Sequence, residues 1–186
     1  MERAAWLERR YGARIEWLPF DLHPEYPPEG IFRADLDRRY GGEQWRERLY
    51  DMFAAADLPY TRKLEKVPNS RRALVVAELA RAEGVYEQLH ARLFDAYWAR
   101  GCDIGDEEIL AREATAAGMA DGAGAAAAST DSEVLAAIEQ STARAHEVGA
   151  GGVPAWVVDD RLLVPGAQPH EVFDRVMEQL GHEPVE

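Results

Sequence analysis

The chain has 186 residues and a mass of 20.8 kDa, with 47% hydrophobic and 30% charged residues. That composition excludes a disordered or collagen-like chain and is enough for one compact domain, or one domain carrying a large insertion. A formal net charge of -13 at pH 7 argues against a nucleic-acid partner, and the single cysteine, Cys102, excludes an intramolecular disulfide and any CxxC pair within these residues.

Residues 2–11 read as a helix in which Trp6 and Leu7 are apolar among charges, with Gly12 at the C-cap position. The opening Met1-Glu2-Arg3 runs into this helix with no apolar leader, and no apolar stretch approaches the roughly 20 residues that span a bilayer. A cytoplasmic protein without membrane contact is expected. Residues 14–20 alternate, with Ile15 and Trp17 on one face, and are expected to form a strand that Pro19 places near a sheet edge. Residues 23–30, holding Pro24, Pro27, Pro28 and Gly30, make a rigid connector.

Between residues 44 and 149 the apolar period is helical, and no strand is expected there. Helices are predicted at about 43–56, closed by Leu58-Pro59, and at about 71–83, with Asn69 or Ser70 as N-cap and Gly84 behind. The next, at about 85–99, carries Tyr86, Leu89, Leu93 and Tyr97 on one stripe. Asp106 caps a helix at about 107–117 that ends at Gly118, and Thr130 with Glu133 forms a capping box for a last helix reaching about residue 148. The low-complexity residues 121–130 read either as a flexible linker or as a turn of alanine helix. Period two then returns: Ala155-Trp156-Val157-Val158, a two-residue turn at Asp159-Asp160 and a second strand at 162–164 predict a hairpin. Residues 169–180 form a closing helix with Val172, Phe173, Val176 and Leu180 buried and Gly181 after it.

Four motifs stand on this frame in order: Trp17-Leu18-Pro19-Phe20-Asp21-Leu22-His23-Pro24 followed by Pro27-Pro28-Glu29-Gly30; Gly101-Cys102-Asp103-Ile104; Gly152-Val153-Pro154-Ala155-Trp156-Val157; and Pro165-Gly166-Ala167-Gln168-Pro169. Together with the element order, they resemble the FrnE-like branch of the DsbA-family oxidoreductases, relatives of 2-hydroxychromene-2-carboxylate isomerase and kappa-class glutathione transferase. The resemblance covers nearly the whole chain. It implies an α/β fold: a thioredoxin-like sheet of the DsbA type with a large all-helical insertion. Residues 1–30 and 150–186 would form the thioredoxin-like domain and residues 31–149 the helical insertion. In that family the catalytic CxxC sits at the N-terminus of the first helix, directly after the first strand. Met1 already falls within what resembles that helix, so the first strand and the CxxC are expected to be absent, with no catalytic residue assigned. The absent strand would lie between residues 14–20 and the hairpin.

The implied function is a thiol-disulfide oxidoreductase fold that does no dithiol chemistry as this chain. Two alternatives stand beside it: a glutathione-dependent isomerase or transferase of the same fold, and a non-catalytic module that binds peptides or a partner. In the family a cis-proline precedes the strand beside the active site, which points to a cis Val153-Pro154 bond with Val153 as the peptide or glutathione contact. Gly166, Ala167 and Gln168 are either an ordinary turn and N-cap or, by resemblance, the loop that offers N–H groups to a γ-glutamyl carboxylate. His23 either lines that groove or is an exposed loop histidine. The expected partner is a thiol or disulfide peptide or a small thiol, with glutathione or a similar thiol as the alternative ligand and a homodimer left open. No other cofactor is implied. The five histidines show no metal-binding spacing, so no metal is expected, and Cys102, after a helix end, reads as a structural or incidental thiol.

Overall fold

The computed structural model describes residues 2–39 and 42–185, apart from the side chain of Trp45. In chain order the elements are α1 (Glu2–Tyr11), β1 (Ile31–Phe32), α2 (Arg33–Arg39), α3 (Gln44–Ala55), β2 (Lys66–Val67), α4 (Arg71–Ala82) and α5 (Tyr86–Phe94), which continues as a π-turn over Asp95–Ala99. They are followed by α6 (Glu107–Ala117), α7 (Gly122–Ala127), α8 (Ser132–Glu147), β3 (Ala155–Val158), β4 (Leu162–Pro165) and α9 (His170–Leu180). Two compact units divide the chain: residues 1–22 with 139–186, and residues 23–138.

In the first unit β3 and β4 form an antiparallel hairpin that pairs Trp156 with Val164 and Val158 with Leu162. Three residues therefore separate the strands, not the two expected. Asp159 and Asp160 both take φ +53°, and the Arg161 N–H closes the turn on the Val158 carbonyl at 3.0 Å. One face of the hairpin meets α1 and α9 in a core of Leu7, Val164, Phe173 and Met177, with Trp6, Ile15, Trp156 and Val158 packed against it. The α1 and α9 helices are further joined where Asp174 accepts from the Tyr11 hydroxyl and, at 2.8 Å, from Arg10 Nε.

The strand expected at residues 14–20 is not one. Its side chains alternate between half-buried and exposed as a strand's would, and Trp17 lies 6.1 Å from Trp156, centroid to centroid. A ladder also requires a neighbouring backbone at about 4.8 Å, and among the described residues none runs alongside; β3 and β4 make a two-stranded sheet by themselves. Side chains of α8 fix the segment instead: Ser141 Oγ donates to the Pro19 carbonyl at 2.8 Å, and Thr142 Oγ1 accepts from the Asp21 N–H at 2.9 Å.

The second unit has its core in the helices. Val76, Ala80, Leu89, Leu110, Ala114 and Ala126 pack together with no measurable exposure. Several expected boundaries match: Asp106 Oδ1 accepts from Ile109 N–H, and Gly118 takes a left-handed C-cap conformation. Asn69, rather than Ser70, accepts from the Arg71 N–H at the start of α4. Residues 122–127 are helix, with Asp121 accepting from the Gly124 N–H. The Thr130 capping box is replaced by Asp131, whose Oδ1 accepts from the N–H groups of Glu133 and Val134 at 2.8 and 3.1 Å; a carboxylate one residue nearer the helix is the stronger acceptor. The expectation of no strand between residues 44 and 149 also fails, because Lys66–Val67 pairs with Ile31–Phe32. Gly30 permits that pairing: at φ +80°, a Cβ there would lie 2.5 Å from the Val67 carbonyl oxygen. Two-residue strands carry no readable periodicity.

Candidate functional site: the free edge of the hairpin

The Val153-Pro154 peptide is cis, and the Pro154 carbonyl accepts from the Gly166 N–H at 2.7 Å. In an antiparallel ladder both backbone groups of a residue point to the same side, and the side alternates along the strand. With residue 154 facing β4, residues 156 and 158 do the same, whereas Ala155 and Val157 direct N–H and C=O to the outer edge. No backbone partner meets them there among the described residues. On β4, Pro165 lies opposite Ala155, so the proline that lacks an N–H occupies a position whose amide would face away from β3.

The outer edge is apolar and open. Val153 is 55% exposed at its entrance, and Val157 is 49% exposed on the face opposite Trp156. A Cβ at Gly151 or Gly152 would meet nothing within 4 Å. The chain before the cis bond thus presents bare backbone, which is what an incoming extended segment needs for strand addition.

Val153, Pro154, Gly166, Ala167 and Gln168 are gathered at this end of the hairpin. The Gly166 N–H is spent on Pro154, so of the three turn residues only Ala167 and Gln168 are without an internal backbone acceptor among the described residues. The Gln168 side chain donates to the Pro165 carbonyl at 2.8 Å, and Gln168's own carbonyl accepts from Arg3 Nε at 3.1 Å. Beside the turn, His170 stacks on Trp6 with centroids 4.4 Å apart. Arg3, Trp6 and His170 were missed from the sequence because 160 or more residues separate the first helix from the last.

His23 belongs to the second unit. Its ring stacks on Tyr26 at 4.3 Å, and Nδ1 lies 3.2 Å from Glu25 Oε1. The Glu25 carboxyl is held below its ordinary value, first by its own backbone N–H and then, against desolvation, by the His23 ring. Cys102 is in the second unit too. Its N–H closes the π-turn on the Ala96 carbonyl at 2.8 Å, and its sulfur lies 3.7 Å from an Arg112 nitrogen.

The DSBA-like thioredoxin domain family matches residues 2–178. The chain belongs to that family. This DSBA-like chain is similar to the uncharacterised protein YwbO of Bacillus subtilis (strain 168), with 24% identity over 165 residues that make up 88% of this chain and 80% of that protein. Among solved structures, it is similar to the probable DsbA oxidoreductase SCO1869 from Streptomyces coelicolor, at a TM-score of 0.75 and 26% identity. The likeness covers 86% of this chain and 72% of that one. The fold is thus DsbA-like thioredoxin, mostly helical, with small sheets.

Proposed function

We propose that the chain is a substrate-recognition body of the FrnE-like thiol-disulfide oxidoreductase type, which receives an extended thiol- or disulfide-bearing segment along the outer edge of β3, the lane that the resemblance gives to the family's first strand, and does no dithiol turnover with residues 1–186 alone. The observation that carries this reading is the pair of outward backbone positions, Ala155 and Val157, directly after the cis Val153-Pro154 bond. Strand addition draws its affinity from such backbone groups and its selectivity from flanking side chains, and the side chains here are apolar. Likeness to a probable DsbA oxidoreductase supports a thiol or disulfide as the chemical class of the segment.

The chemistry follows from the thiol count. Exchange proceeds by thiolate attack on a disulfide sulfur to give a mixed disulfide, which a second thiol resolves. With Cys102 as the one thiol in the sequence, the mixed disulfide has no internal resolving partner. The test is dithiothreitol-driven insulin reduction followed by turbidity. The chain is expected to leave the uncatalysed rate unchanged, as is Cys102→Ser. Acceleration that Cys102→Ser abolishes would refute the reading.

A further inference from the structure

A second site lies wholly within the 23–138 unit. The first residues of α2, the start and middle of α3 and the strand β2 approach line an open cavity of about 670 Å³, a volume in the range that small-molecule sites occupy. Among the described residues its walls contain three arginines, Arg33, Arg46 and Arg62, and five carboxylates. Two of the arginines are neutralised internally. Arg46 binds Asp37 at 2.7 Å and Glu43 at 3.2 Å, and Arg62 binds both oxygens of Glu47 at 2.9 Å while lying 4.7 Å over the Tyr50 ring.

Arg33 is not neutralised. It is 7% exposed, yet no carboxylate lies within ion-pair distance among the described residues. Among the described residues its one side-chain hydrogen bond runs to the Tyr97 hydroxyl at 3.5 Å, the outer limit for such a bond. Among the described residues, Arg33 Nε, Asp37 Oδ1 and the hydroxyl of Tyr50, itself 1% exposed, are all buried without a hydrogen-bond partner. Those three atoms are closed to the cavity as well as to bulk water, so the call for an anion comes from the largely buried guanidinium's charge, which has no counter-charge. The complementary charge is close by. The Glu65 carbonyl accepts from the Arg33 backbone N–H at 2.9 Å, but the exposed Glu65 carboxylate makes no ion pair with Arg33 or with any other described residue.

We infer that this cavity binds a small apolar zwitterion, an α-amino acid or short peptide, with its carboxylate on Arg33, its ammonium on Glu65 and its side chain against Phe32 and Leu64. The pairing of one uncompensated cation with one uncompensated carboxylate selects for a molecule carrying both charges. Inorganic phosphate or a polyanion would be repelled by the remaining carboxylates of the wall. Bidentate guanidinium–carboxylate geometry supplies the orientation. This site is independent of the β3 edge.

Isothermal titration calorimetry on the intact chain tests it with three probes of one shape: L-phenylalanine, 3-phenylpropionate, which lacks the ammonium, and phenethylamine, which lacks the carboxylate. Phenylalanine is expected to bind at least tenfold more tightly than either analogue. Glu65→Gln, an exposed change that leaves folding alone, should weaken phenylalanine severalfold and leave 3-phenylpropionate unaffected, while Arg33→Gln should abolish binding of both. No heat with phenylalanine on the wild-type protein, equal affinity for all three probes, or an unchanged affinity in Glu65→Gln would overturn the inference.

Discussion

Glu113 gathers three arginines around one carboxylate in the helical unit. Its carboxylate is fully buried and bound by Arg92 at 3.0 Å, Arg100 at 2.9 Å and Arg112 at 3.0 Å, each of which reaches it from a partly exposed position. Burial pushes the carboxyl up, and hydrogen bonds from Arg100 and Arg112 with the charges of Arg100 and Arg92 outweigh it, so the group stays below its ordinary value. A carboxylate depressed in the folded state stabilises fully above its unfolded pKa, and that contribution is lost as pH falls through the folded value. Glu113→Gln should therefore cost about 2 kcal/mol at neutral pH, less than a broken buried pair usually costs because the arginines left behind reach water. It should also flatten the loss of stability below about pH 4.5, as chemical denaturation across pH would show. The α8 cap supplies a second residue-scale prediction. Asp131→Ala should lose about 1 kcal/mol and Thr130→Ala almost nothing, since Asp131 holds both amide bonds. The Thr130-x-x-Glu133 spacing is legible in the sequence, but it does not reveal that a neighbouring carboxylate outcompetes the hydroxyl.

At the scale of elements, the hairpin and the segment before it show how far pattern reading reaches. Residues 14–20 alternate in burial as their sequence predicts, yet form no ladder. Alternation is a property of the segment's own residues, whereas a strand also depends on a neighbour elsewhere in the fold. The β1–β2 pair fails in the opposite way, having a partner but only two residues on each side, too few for a period to register. Helices bounded by Asp106, Gly118 and Gly181 were legible because capping is local chemistry. Turn chemistry at Asp159-Asp160 gives a further prediction. Both residues sit at φ +53°, where glycine relieves a β-carbon clash and the Asp-Gly pair suits a tight hairpin. Asp160→Gly should raise stability by about 1 kcal/mol in thermal or urea unfolding. Gly30→Ala should lower it by about 2 kcal/mol, because φ +80° and the Val67 carbonyl both oppose a β-carbon.

For the whole molecule, the family was readable because its motifs fall at the chain's corners, where glycine and proline fix the path whatever packs around them. At the end of the hairpin, the path of the chain through Val153, Pro154 and the Gly166-Ala167-Gln168 turn was legible for the same reason. In the other unit the burial of Arg33 was not legible, since nothing in Ile31-Phe32-Arg33-Ala34 marks it as an arginine that becomes buried without a counter-charge. Among the described residues no helix is long and apolar enough to cross a membrane.

The proposed uptake of an extended thiol- or disulfide-bearing segment along the outer edge of β3 has a direct readout. Amide hydrogen exchange by NMR tests it most directly, using a short peptide carrying an intermolecular disulfide as the probe. Ala155 and Val157, whose N–H groups face outward, should exchange at least tenfold more slowly when the peptide is present. Trp156, which faces β4, should be unaffected. A peptide that binds while Ala155 and Val157 exchange at their free rates, or one that gives no binding at all, would contradict the account.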